Sequence, residues 1–165
     1  MPSSKARPPD NPFDAALRLL AAREHSRKQL ETKLLKRGYA PEDVAAALTK
    51  LGQLAYLDDS RFARALAREF MGRRMRGEGY VLAKLRGAGI SEAVAQNAVA
   101  EARGEIDGPA QCRALAEKKL VSLREADPKR RRDKLARFLS GRGFAADMVW
   151  DTVDDLLRPD GNKED

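Results

Sequence analysis

His25 is the only histidine of the chain and Cys112 the only cysteine. A structural or catalytic zinc site draws on several His, Cys or carboxylate ligands, and one histidine offers no pair to start from. His25 stands just before a helix cap, where it reads as a surface residue. Cys112 lies beside Ala114 and Leu115 in a helical pattern. With no second histidine to activate it, it reads as a small packing residue. Gly77-Glu78-Gly79 is too short for a dinucleotide-binding fingerprint and follows no strand, and no P-loop pattern occurs. Asp58-Asp59 and Asp154-Asp155 are adjacent pairs whose side chains diverge, the first suited to a helix cap and the second to a solvated face. These residues supply no catalytic, metal or cofactor site and no place for a small-molecule substrate. The expectation is a binding protein and not an enzyme.

The chemistry that remains is charge. The 165 residues carry a formal net charge of +7, which points to a polyanion or to a surface associated with one. Arg61, Arg64 and Arg68 recur at spacings of three and four, opposite Phe62, Leu66 and Phe70 with Ala63 and Ala67. The same segment continues into Arg73, Arg74 and Arg76. From 61 to 86 there are eight basic residues against Glu69 and Glu78. A solvated helix face usually mixes signs, so the scarcity of acidic neighbours at i±4 marks this as a contact surface. A second block, Lys129-Arg130-Arg131-Arg132 with Lys134, opens a later helix against the sign of its macrodipole. The chain then turns acidic: Asp147, Asp151, Asp154 and Asp155 lie opposite Val149, Trp150, Val153 and Leu157, which places Trp150 in the core. Whether that acidic face pairs with the basic block stays open.

The elements that position these charges are helices. Val, Ile and Thr together number only twelve, too few of the stiff side chains a sheet needs, so the fold class is all-α. Asn11-Pro12, Ala40-Pro41, Gly108-Pro109 and Asp127-Pro128 each set a proline at a first helical position. Ser26 to Gln29 fits a capping box, and Asp58 and Ser91 suit N-caps. Stops fall at Gly38, Gly77 to Gly79, Gly89 and Gly143. The spacing predicts nine helices over 12–24, 27–37, 41–54, 59–76, 80–88, 92–104, 109–124, 128–142 and 145–157. A lone cysteine suits a reducing compartment, and no apolar run nears the roughly 20 residues of a membrane span. A soluble, cytoplasmic protein is expected.

Nine helices resolve into an internal repeat. Overlaying Gly38, Gly89 and Gly143 aligns Leu30 with Val81 and Leu135, and Leu34 with Leu85 and Leu139. Beyond the glycine it aligns Val44 with Ala95 and Val149, then Leu48 with Val99 and Val153. Each glycine should end a helix in the left-handed conformation, with the next apolar residue folded back. The reading is three tandem three-helix modules at 12–57, 58–106 and 107–158, between a disordered arm at 1–11 and an acidic tail at 159–165. Stacked modules of this size predict an elongated, curved array suited to a long partner.

Three stretches resemble a known family. Leu19-Leu20-Ala21-Ala22-Arg23-Glu24-His25-Ser26-Arg27-Lys28-Gln29-Leu30, closing in Lys36-Arg37-Gly38-Tyr39, resembles the first-module signature of RecX proteins. Tyr56-Leu57-Asp58-Asp59-Ser60-Arg61-Phe62-Ala63 resembles that family's most recognisable segment, and Gly79 to Ile90 its second-module pattern. The resemblance implies a bacterial regulator of the recombinase RecA, built from three-helix modules. Such a protein binds along the groove of the RecA–DNA filament and limits its growth and its ATPase, strand-exchange and coprotease activities. It brings no catalytic residues, so the candidate partner-binding residues remain the charged ones named above. The alternative is direct, nonspecific DNA binding without RecA. Sequence-specific readout is disfavoured, because the would-be recognition helices open with Glu42-Asp43 and with Glu92, carboxylates that would face phosphates and acceptor base edges. A structural adaptor between proteins is the third reading.

Overall fold

The computed structural model describes residues 11–158. The expected acidic tail, and the expected arm apart from Asn11, lie outside them. Nine α-helices occur among the described residues: α1 (Pro12–Ala22), α2 (Arg27–Lys36), α3 (Pro41–Gln53), α4 (Asp59–Arg68), α5 (Glu78–Gly87), α6 (Glu92–Glu105), α7 (Gly108–Ser122), α8 (Pro128–Gly141) and α9 (Ala146–Leu157). Their starts follow the caps. Asn11, Ser26 and Asp127 accept the backbone N–H of Asp14, Gln29 and Arg130. Asp58 accepts from the N–H groups of Ser60 and Arg61 at 2.8 and 3.0 Å. α7 is capped by Asp107, which accepts from Ala110 N–H, so Pro109 sits one position further in than the proline rule places it.

The chain divides into two compact units. One holds residues 11–65 with Lys84–Ala98, the other Leu66–Ala83 with residues 99–158. In the first unit α1, α2 and α3 pack on one another around Ala15, Ala16, Leu30, Leu34, Val44, Leu48 and Leu51. In the second, α7, α8 and α9 pack around Cys112, Ala116, Leu135, Leu139, Phe144, Val149 and Val153. Every position aligned by the repeat is buried, including Val81, Leu85, Ala95 and Val99 of the middle helices. Removing one such leucine costs about 2–5 kcal/mol. Gly38, Gly89 and Gly143 have φ of +89°, +78° and +91°, the left-handed ending the register requires. Tyr39, Ile90 and Phe144 fold back into burial behind them.

Four expectations are corrected. The helix expected over 59–76 is α-helical only to Arg68. A π-helical turn follows over Glu69–Arg73, closed by Arg74 N–H donating to the Glu69 carbonyl at 3.1 Å. Met75 beyond it takes φ +47°. His25 is not on the surface; it is 1 % exposed. It occupies the position before the N-cap of α2, where its ring meets the Arg23 carbonyl and Lys33 Nζ. The capping box is half formed: Ser26 accepts from Gln29 N–H at 3.2 Å, while Gln29 Oε1 is buried without a protein partner. Trp150 is 40 % exposed, because Val149 and Val153 take the buried stripe of α9 and turn the indole outward.

Candidate partner-binding surface

In the first unit Arg61 is held by its own chain. Its Nε donates to Glu24 Oε1 at 2.8 Å and its Nη2 to the Tyr56 carbonyl at 3.0 Å. Asp59 Oδ1 accepts from Arg27 N–H at 2.8 Å, closing the free N-terminus of α2. Asp58 caps α4, and the N–H groups of Arg61 and Ser60 that it accepts hold its carboxyl below the usual range against the cost of burial. Leu57 and Phe62 are buried. The segment from Tyr56 to Ala63 is therefore a joint between helices, from which Tyr56, 52 % exposed, faces outward and the Arg61 side chain stays partly exposed. Arg64 makes no hydrogen bond or ion pair with another described residue, though it is close enough to Asp58 to stabilise that carboxylate.

In the second unit Arg68 clasps Glu105 with two bonds of 3.0 and 2.6 Å. The pair raises the arginine's pKa and lowers that of the carboxyl. Arg74 pairs with Glu69 at 2.6 Å. The guanidinium groups of Arg74 and Arg76 lie 4.5 and 4.4 Å over the rings of Phe70 and Tyr80, and those rings are 5.5 Å apart. The result is a ladder of cation, ring, ring, cation, set by the π-helical turn. Arg73 is exposed beside it with no partner among the described residues.

At the start of α8, Lys129 and Arg130 are exposed and likewise unpaired within the described residues. Arg131 buries its Nε without a protein partner. Arg132 bonds Asp154 at 2.6 Å and covers the Trp150 ring at 4.7 Å. Lys134 pairs with Glu125, and Arg113 of α7 pairs with Asp155. The acidic face does pair with basic residues of its own chain.

The scarcity of acidic neighbours at i±4 was thus a poor guide. Glu24, Glu105, Glu125 and Asp154 reach the arginines and the lysine from other helices or from a connecting loop, and Glu69 reaches Arg74 through the π-helical turn. Both members of the Arg61, Arg68, Arg74 and Arg132 pairs remain well exposed, and pairs of that kind contribute about 0–1 kcal/mol. An incoming anion can take over such a cation at little cost. Among the described residues no cluster of three or more His, Cys, Asp or Glu could hold a metal ion, and no helix is long and apolar enough to cross a membrane. Cys112 is fully buried; burial pushes its thiol pKa up, which leaves it unreactive.

Taken together, the paired glycine-ended helices and repeated core define an all-α protein of tandem three-helix domains. Comparisons assign it more closely. Residues 13–51 match the RecX first three-helix domain and residues 105–153 the RecX third three-helix domain. The chain is 38 % identical to the regulatory protein RecX of Pelodictyon phaeoclathratiforme over 87 % of its length and 84 % of the relative's. It is 37 % identical to that of Chlorobaculum tepidum over 93 % and 92 %, and 41 % identical to that of Halorhodospira halophila over 82 % of each. The crystal structure of RecX from Lactobacillus salivarius superposes with a TM-score of 0.74 at 24 % identity, covering 88 % of this chain and 94 % of that one. The chain belongs to the RecX family of regulatory proteins.

Proposed function

We propose that this chain acts in the cytoplasm as a negative regulator of RecA, by binding and without catalysis. It binds along the groove of the RecA–DNA filament and limits filament growth, ATPase, strand exchange and coprotease activity. Family membership carries the regulatory reading; the contact surface rests on exposed or half-buried cations that are unpaired or only weakly paired. Arg64, Arg73, Lys129 and Arg130 are the foremost of these, with Arg68, Arg74, Arg76 and Arg132 available once their weak pairs exchange. Arg61 is the least suited of the candidates, because its guanidinium already serves two backbone carbonyls and Glu24.

The test is RecA-dependent ATPase on single-stranded DNA with the chain titrated in. Inhibition should appear with the parent protein. Reversing Arg64 and Arg73 to Glu should raise the concentration needed tenfold or more, since interfacial charge contacts contribute about one to several kcal/mol each. Lys118→Glu, a single charge reversal at an exposed position of α7, should leave inhibition intact. Full inhibition by the doubly reversed variant would move the contact surface away from these residues. A second reading, direct DNA binding, draws on the Arg74–Phe70–Tyr80–Arg76 ladder, since rings and guanidinium planes also suit bases. The salt dependence of binding to bare strands, set against RecA-coated strands, separates the two.

A further inference from the structure

The buried His25 faces a lysine. Its Nδ1 lies 2.9 Å from the Arg23 carbonyl oxygen. A carbonyl only accepts, so Nδ1 carries the proton and Nε2 presents a lone pair. Lys33 Nζ sits 2.7 Å from that Nε2. The imidazole has no carboxylate of its own: Glu24 beside it is taken by Arg61. Lys33 is partly exposed, and Arg23 and Arg37 stand near enough to act on its charge.

We infer that Lys33 is an acylation site, with His25 as its proton acceptor and Arg23 and Arg37 attracting an acyl donor that carries a phosphate. Three features converge. Desolvation, with the two arginines, lowers the lysine's pKa and so raises its share of free amine. One N–H of that amine stays bonded to Nε2, which keeps the nitrogen lone pair directed away from His25 and toward the donor. The flanking cations meet the donor's phosphate.

With an acyl phosphate, the Nζ lone pair attacks the acyl carbonyl and a C–N bond forms. The adduct nitrogen, now positively charged and far more acidic than an alkylammonium, passes its proton to His25 Nε2, which holds it only transiently because burial lowers the imidazole's pKa. The C–O bond to phosphate then breaks, inorganic phosphate leaves with the electron pair, and His25 returns its proton to solvent. An acyl thioester of a phosphate-bearing carrier reacts in the same way, with the C–S bond breaking and the thiol leaving. No oxidant or reductant is needed. The product amide keeps an N–H for Nε2 and loses the positive charge.

The experiment incubates the folded full chain with acetyl phosphate or with acetyl-coenzyme A and follows each lysine by peptide mass spectrometry. Lys33 should acylate at least tenfold faster than exposed Lys118 and Lys129 with one or both donors, and the faster donor identifies the source. His25→Gln, which keeps an acceptor but cannot take a proton, should bring Lys33 down toward the Lys118 rate and leave Lys118 unchanged. Over pH 6 to 9 the wild-type rate at Lys33 should level off at a lower pH than that at Lys118. Arg23, Arg37 and Glu24 are the charged groups that act on the dyad, and Arg61 pairs with Glu24. If Lys33 in the wild-type chain reacts no faster than Lys118 with either donor, the assignment is overturned whether or not the variant folds. An undiminished rate in folded His25→Gln overturns the histidine's role.

Discussion

The joints of the two units are built from different materials. In the first, side chains make them: Ser26 Oγ donates to the Ala88 carbonyl at 2.6 Å, Asp59 closes the start of α2, and Arg61 bonds Glu24. In the second, where side-chain pairs such as Arg68 with Glu105 also occur, main chain meets main chain. Gly77 N–H donates to the Arg142 carbonyl at 3.0 Å and Gly79 N–H to the Gly143 carbonyl at 3.1 Å. A Cβ on Gly77 would run into the Gly143 backbone, and one on Gly143 into the backbone of Tyr80. Gly38, at the equivalent repeat position, shares the positive φ of Gly143, yet a Cβ there meets nothing within 4 Å. One local signature therefore serves two packing roles. The repeat fixes backbone conformation, and the neighbours decide whether the glycine must also be small.

That contrast can be broken at graded positions. Gly143→Ala should be the most damaging, by about 3 kcal/mol or more, since it adds a backbone clash to an unfavourable φ; urea midpoints measure it. Ser26→Ala should cost about 2 kcal/mol, because it removes a cap and leaves the Ala88 carbonyl unanswered. Gly38→Ala should cost only about 1 kcal/mol, the conformational penalty alone. A Gly38 variant as unstable as the Gly143 one would erase the distinction between the two turns.

The mildest effect near neutral pH is a slope, and it belongs to the first unit. Burial lowers the pKa of His25, with Arg23 and Lys33 adding to the shift. As pH falls through the ordinary imidazole value the unfolded chain takes up a proton that the folded chain refuses, so stability falls; above that value the contribution is constant. Melting temperatures of the wild type and His25→Gln between pH 8 and 5.5 should converge on acidification. Parallel curves would place His25 outside the pH response.

Much of this architecture was legible because helix ends are local. Proline at the first turn, Asn or Asp at the cap and glycine past the end act over four or five residues, and the repeat register located buried positions in six helices, the second and third of each module. The charged surface was less legible because its partners are remote: nothing near Arg68 in sequence indicates Glu105, and nothing near Arg132 indicates Asp154. His25 was misread as a surface residue, because a polar side chain before a cap carries no burial signal of its own and only the folded chain sets its ring against the Arg23 carbonyl and Lys33. Lys33, eight residues on, gave no signal until the chain was folded. The π-helical turn holds Gly72 where a Cβ would come within 3.7 Å of the Ile106 side chain, a proximity of distant segments that spacing alone does not reveal.

Trp150 lends the second unit an optical consequence. It is the chain's only tryptophan, half in solvent, with a guanidinium resting on its face. Its emission should be that of a partly hydrated indole, open to acrylamide. It should report on α8 and α9. Because Arg132 is shared between the ring and an exposed carboxylate, added salt or a polyanion that draws the arginine away should alter the intensity without unfolding anything. The molecule thus carries a built-in fluorophore beside one of its candidate contact residues, and a titration can be followed by ultraviolet emission on an unlabelled protein.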